Sequence, residues 1–167
     1  MSADARQLGL AAECDADAAD LARLVSQLKT FQARLRADTN DEALQAAVAL
    51  NLDRVYTATE SVIFRVVTSL EGQAPSGSDW HMRLLRQAFL DVEGVRPPIL
   101  AADLRSHLTD LLGFRYKLRH SYLMHLDSGR LELLAEETAS AGPRTEASLR
   151  TFAGWLRSKE QLSSADH

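Results

Sequence analysis

From Leu21, apolar residues recur at alternating spacings of three and four: Leu21, Leu24, Leu28, Phe31 and Leu35. Such spacing makes one apolar stripe on a helix, here with the heptad form of a seam that packs against another helix. It predicts a helix from Asp17, capped by Asp15 or Asp17. The seam is short for an extended coiled coil and suits a bundle helix or a dimer-contact helix. Thr39-Asn40-Asp41 breaks the pattern and offers the next N-cap. A second helix is expected over 42–70, with Leu44, Val48, Leu52, Val55, Thr59, Val62, Val66 and Leu70 on one side and Gly72 as its stop. Tyr56 and Glu60 are i,i+4 neighbours on it, polar-tipped residues that either support a site or ride the surface, the surface being the leading reading. After a loop over 73–78, Ser78 or Asp79 caps a short helix that buries Trp80, Leu84, Leu85, Ala88 and Phe89. A second loop, 92–98, ends in Pro97-Pro98, with Pro98 placed in the first turn of a helix that runs to about Leu126. Asp127-Ser128-Gly129 forms a turn. Leu131, Leu134 and Ala135 open a further helix, which Gly142-Pro143 interrupts or kinks. Leu149, Phe152, Trp155 and Leu156 resume the helical spacing to about Glu160. No stretch alternates as a strand does. The pattern predicts an all-α bundle of five to six helices. It forms one domain over 17–160, between a flexible acidic arm (1–16) and a disordered tail (161–167).

Composition changes this picture little. The 167 residues are 46% hydrophobic and 25% charged, ordinary for a globular chain with a real core. The single cysteine, Cys14, permits no internal disulfide and fits a reducing compartment. No apolar run is long enough to span a membrane, and no signal peptide is evident, so a cytoplasmic location is expected.

Charge changes more. The net charge of −4 argues against indiscriminate nucleic-acid binding, but its distribution is uneven. Residues 1–20 hold Asp4, Glu13, Asp15, Asp17 and Asp20 against Arg6 alone. Residues 105–130 hold Arg105, Arg115, Lys117, Arg119 and Arg130 against Asp110 and Asp127, with His107, His120 and His125 besides. A phosphate-seeking surface can be confined to that segment.

Within it, Phe114 to Tyr122 continues the helix pattern but interrupts its apolar stripe. At about 100° per residue, Leu104, Leu111, Leu112 and Leu118 fall within roughly 80° of Leu108, and Arg115, Arg119 and Tyr122 fall in the same stripe. Two guanidiniums and a phenol thus sit on a face expected to be buried, which is costly unless they are paired or line a polar cleft. His120 is the residue there that titrates near neutrality. On an ideal helix Arg115 and His120 lie about 140° apart, with a rise near 7.5 Å, and do not converge. Either the helix distorts after Gly113, or two copies related by a two-fold axis combine their residues in one cleft. Arginine beside histidine suits phosphodiester chemistry. Arg115 can bind phosphate oxygens in two-pronged fashion and stabilise a pentacovalent transition state. His120 can move protons at the 2′-oxygen and the leaving 5′-oxygen. Ser121 can add a hydrogen bond, and Tyr122 can position phosphate or a base. His107 and His125 read as solvated or hydrogen-bonded structural residues. The scattered histidines and lone cysteine make no zinc pattern, and neither metal nor cofactor is expected. Glycine-rich phosphate loops, nucleophile elbows and paired-carboxylate motifs are absent from the sequence.

Arg115-x4-His120-x-Tyr122 resembles the Arg-x(4–6)-His signature of HEPN domains, in the Arg-x4-His-x-Tyr form of HepT-like ribonuclease toxins. The resemblance covers residues 40–135. It includes, in order, Tyr56-x3-Glu60, Pro75-x-Gly77-x-x-Trp80-His81, Gly94-Val95-Arg96-Pro97 and the Phe114–Tyr122 run. It implies an all-α HEPN bundle that forms a C2 homodimer through the motif helices. It also implies metal-independent endoribonuclease activity that leaves a 2′,3′-cyclic phosphate, with Arg115 and His120 catalytic. Arg119 lies outside that minimal signature and reads as phosphate-binding or structural, and Lys117 and Ser121 are candidate supporting contacts to RNA phosphate. The implied partners are RNA and a minimal nucleotidyltransferase antitoxin, which transfers AMP to the motif tyrosine, here Tyr122. A non-catalytic HEPN-like subunit that binds such a nucleotidyltransferase is the alternative, and a plain helical dimerisation protein the third.

Overall fold

A computed structural model describes residues 3–120 and 127–165, with five α-helices and no β-strand among them. They are α1 (Ala3–Ala37), α2 (Glu42–Glu71), α3 (Trp80–Gln87), α4 (Arg105–His120) and α5 (Ser128–Ala165). A 3-10 turn, Ala102–Leu104, leads into α4. The all-α expectation holds, and α2 is the hub: it touches each of the other four helices.

Local signals explain the bounds of α2. The Asp41 carboxylate accepts from the Leu44 N–H at 3.0 Å, an N-cap that satisfies one otherwise unpaired donor. Gly72 closes the helix in the left-handed region, φ 82°, and its N–H donates to the Thr68 carbonyl. All but one of the predicted apolar positions on α2 are buried, Leu70 partly so. A second buried row, Ala49, Tyr56, Ile63 and Val67, reflects contact on more than one side.

The flexible arm is corrected. Residues 3–16 are the first turns of α1, and Leu10, Ala11 and Cys14 are buried there. The seam runs through Cys14, Ala18, Leu21, Val25, Leu28, Gln32 and Leu35, with Leu24 and Phe31 on its flank. Small residues carried its start, so hydrophobic periodicity understated it. Its partner is α5, which runs antiparallel: Asp15 pairs with Arg157, Val25 faces Gly142, and Arg36 bonds Glu132 at 2.9 Å.

Gly142-Pro143 does not end a helix. Pro143 lies inside α5, which is continuous from Ser128 to Ala165, through part of the stretch expected as a disordered tail. A proline here removes one helical hydrogen bond. The packed α1 seam holds the segment in place regardless. Gly142 is where the two helices come closest: a Cβ there would lie 2.7 Å from both Val25 methyls.

Pro97-Pro98 also differs from expectation, for α4 starts several residues later. Ile99 and Leu100 enter the core instead, and both N–H groups donate to the Ala88 carbonyl, at 2.8 and 3.1 Å. Arg96 anchors this loop. Its guanidinium is wholly buried and donates to Glu71 (2.7 Å) and to the carbonyls of Gln87, Leu90 and Pro97. A buried charge survives because every neighbour is an acceptor. Among the described residues no helix is long and apolar enough to cross a membrane.

Candidate functional site

The arginines that broke the apolar stripe of α4 are paired with α2. Asp53, 8% exposed, accepts from Arg115 Nη1 at one carboxylate oxygen (3.3 Å) and from Arg119 Nη2 at the other (3.1 Å). Arg115 Nη1 also donates to Thr57 Oγ1, and its guanidinium lies 5.8 Å from the centre of the Tyr56 ring. The two arginines are four residues apart, so one carboxylate spans both. Arg115 is held deep in this contact, at 12% side-chain exposure, while Arg119 is more than half exposed.

The Arg115 hydrogen bonds all leave from Nη1. Its Nε–Nη2 edge makes none among the described residues, and that edge is the one suited to two-pronged phosphate binding. Asp53 and Thr57 thereby hold the guanidinium through Nη1.

His120 is exposed at the end of the described part of α4. Its Nδ1 lies 2.8 Å from the Tyr116 carbonyl oxygen. A carbonyl can only accept, so Nδ1 carries the proton and Nε2 keeps its lone pair in the neutral ring. The Tyr116 ring lies beside it, with centroids 6.4 Å apart. Arg115 faces α2 and His120 lies on another flank of α4, as ideal helix geometry requires. Gly113 introduces no break, for α4 is α-helical on both sides of it. Lys117 is exposed and makes no ion pair among the described residues. Ser121, Tyr122 and His125 lie outside the described residues.

Tyr56 and Glu60 are not surface positions. They are 1% and 8% exposed, and the Tyr56 hydroxyl donates to Glu60 Oε1 at 3.1 Å. Burial and the Glu60 charge push the Tyr56 phenol well above its ordinary range, so it stays a donor. The same oxygen lies 2.5 Å from His81 Nδ1, and His81 is stacked on Trp80. Asp53, Tyr56, Thr57 and Glu60 therefore form a polar strip on the otherwise apolar inner side of α2. Its signal in the sequence is spacing by three and four, the same rule that marks an apolar stripe.

His107 takes a structural place, packed between helices rather than solvated. Its Nδ1 is buried without a partner among the described residues, and burial pushes the imidazole below its ordinary value. It belongs to the contact of α1, α2 and α5 rather than to this site.

The fold and the motif helix together define a class, and residues 47–156 match the family model of HepT-like proteins. The chain belongs to the HepT-like family, with the all-α HEPN-type bundle. The matched span begins within α2 and ends within α5, so it includes Asp53, Thr57, Glu60, His81, Arg115 and His120. Helix α1 lies outside it, although its seam is buried against α2 and α5. No curated protein and no solved structure matches the chain.

Proposed function

We propose that this protein is the toxin of a toxin–antitoxin pair, a metal-independent endoribonuclease that acts at a cleft formed by two copies of α4. The observation that carries this is Arg115. A nearly buried guanidinium is fixed through Nη1 by Asp53 and Thr57; its Nε–Nη2 edge bonds none of the described residues and would be the edge that meets an anion. A purely structural arginine spends its donors on the protein, as Arg96 does. Arg115 would clamp the scissile phosphate and stabilise the charge of the pentacovalent state. Nε2 of His120 would take or return a proton at the ribose or leaving oxygen. Arg119, Ser121 and Lys117 would hold flanking phosphates. Arg115 and His120 diverge on one helix, so a C2 pair is the arrangement that brings an arginine of one copy toward the histidine of the other. The antitoxin would be a minimal nucleotidyltransferase, and Tyr122 the hydroxyl it modifies. A cytoplasmic setting suits both partners.

The test is incubation of purified protein with total cellular RNA in EDTA, comparing wild type with Arg115→Ala and His120→Ala. Loss of cleavage in both variants, with circular dichroism unchanged, is expected. Equal cleavage by all three proteins would refute the assignment. A stable complex with a nucleotidyltransferase and no cleavage by wild type would support a non-catalytic binding subunit instead.

A further inference from the structure

We infer that His81 is a second proton-transfer residue of the same reaction, complementary to His120. The inference rests on the nuclease reading above, and three features of the site support it. First, the ring is tied at one nitrogen only. Nδ1 lies 2.5 Å from Glu60 Oε1, and Nε2 has no partner among the described residues. A carboxylate on Nδ1 fixes the tautomer and the ring orientation and leaves Nε2 to exchange a proton, as in other carboxylate–histidine pairs. Secondly, the carboxylate is itself held: Glu60 is 8% exposed and accepts from the buried Tyr56 hydroxyl at the same oxygen. Thirdly, the ring lies against the motif helix. His81 stacks on Trp80 at 3.7 Å and meets the Tyr116 ring edge-on, with centroids 5.9 Å apart; His120 lies beside that same Tyr116 ring. Glu60 and Tyr56 continue the strip of α2 that carries Asp53 and Thr57, the anchors of Arg115. His81 thus lies against the motif helix, between Glu60 of α2 and the Tyr116 ring that His120 also adjoins.

The chemistry calls for two proton carriers. As the 2′-oxygen attacks phosphorus its proton must leave, and as the P–O5′ bond breaks the 5′-oxygen must receive one. One histidine accepts the first proton at Nε2, and the other, already protonated at Nε2, supplies the second. Protons and charge balance over the step without any further reactant. The products are a 2′,3′-cyclic phosphate and a 5′-hydroxyl.

A substrate with sulfur in place of the bridging 5′-oxygen tests this, because a thiolate leaves without being protonated. The proteins compared are wild type, His81→Asn and His120→Ala, on an ordinary RNA oligonucleotide and on its 5′-thio counterpart. His81→Asn retains an N–H in the place of Nδ1 to donate to Glu60, so the fold should survive, and thermal unfolding checks that it has. Glu60→Gln serves as a second variant that disturbs His81 without replacing it. Each histidine variant should cut ordinary RNA at least about 100-fold more slowly, the usual worth of one acid or base. On the thio substrate one histidine variant should recover to near the wild-type rate and the other should not. If His81→Asn cuts ordinary RNA as fast as wild type, or if both histidine variants or neither recover, the inference is wrong while the nuclease assignment stands. If wild type cuts neither substrate, both fall together.

Discussion

Replacing Asp53 probes the contact that holds α4 on α2. Asp53→Ala leaves Arg115 with only the Thr57 hydroxyl and the face of Tyr56. Asp53 and Arg115 are 10% and 12% exposed at their side chains, so the arginine would remain largely out of water without a counter-charge. Breaking a buried pair from one side costs about 3 kcal/mol. The Arg119 arm adds little, because that side chain is 54% exposed and the pair is screened, a contribution of about 0.3 kcal/mol. For a chain of this length, a loss near 3 kcal/mol lowers the unfolding midpoint by roughly 6–12 °C. Asp53→Asn keeps an acceptor and should lose about half as much. Replacing both partners by apolar residues, Asp53→Leu with Arg115→Met, should cost less than Asp53→Ala alone, since no unpaired charge remains. Urea unfolding followed by circular dichroism at fixed protein concentration measures all three. An Asp53→Ala variant within about 0.5 kcal/mol of wild type would refute the reasoning, because that is the size of an ordinary surface substitution. So would a double variant less stable than the single one.

Gly142→Ala sets helix propensity against packing. Alanine favours a helix over glycine by about 1 kcal/mol, but the new Cβ would sit 2.7 Å from both Val25 methyls, and overpacking costs about 1–3 kcal/mol. The variant should be less stable in urea, and in a Val25→Ala background the same change should become stabilising; a single variant more stable than wild type contradicts the close approach. Cys14 is fully buried, and its thiol is pushed up to about 11 from 9.0, first by burial and then by Asp17. A disulfide reagent at pH 8 should label it fast in urea and roughly 100-fold or more slowly in the native protein, where little thiolate forms. The folded value is the raised one, so the contribution of Cys14 to stability is intact below pH 9.0 and declines as pH rises toward 11. Cys14→Ala should flatten that part of the stability profile, and an unchanged slope would count against the burial of this thiol.

The bounds of α2 were legible because Asp41 and Gly72 act on their own neighbours. The anomaly of α4 was legible too: charges on an apolar face require partners or a cleft, whatever the fold. The identity of the partner was not, because Asp53 lies 62 positions from Arg115 and nothing local marks it. The choice between site and surface for Tyr56 and Glu60 was not legible for the same reason. On one helix they look like a solvated pair; α3 supplies His81 and turns them inward. The start of α1 escaped notice because Leu10, Ala11 and Cys14 include small residues that become apolar contacts only when α5 packs on them.

The sequence by itself determined an all-α chain, most of its core positions, and an Arg–His motif whose two members cannot meet on one helix. Those follow from periodicity, caps and fixed helix geometry, which are short-range properties. Only the tertiary structure decided that Gly142-Pro143 joins a helix instead of breaking it, and that Arg115 is anchored at Nη1 by Asp53 and Thr57. It alone brought a second histidine, tied to a buried carboxylate, against the motif helix. Each of these depends on which helix packs against which. Burial across helices changes the cost of a charge, a missing hydrogen bond or an absent side chain, and no local pattern encodes that.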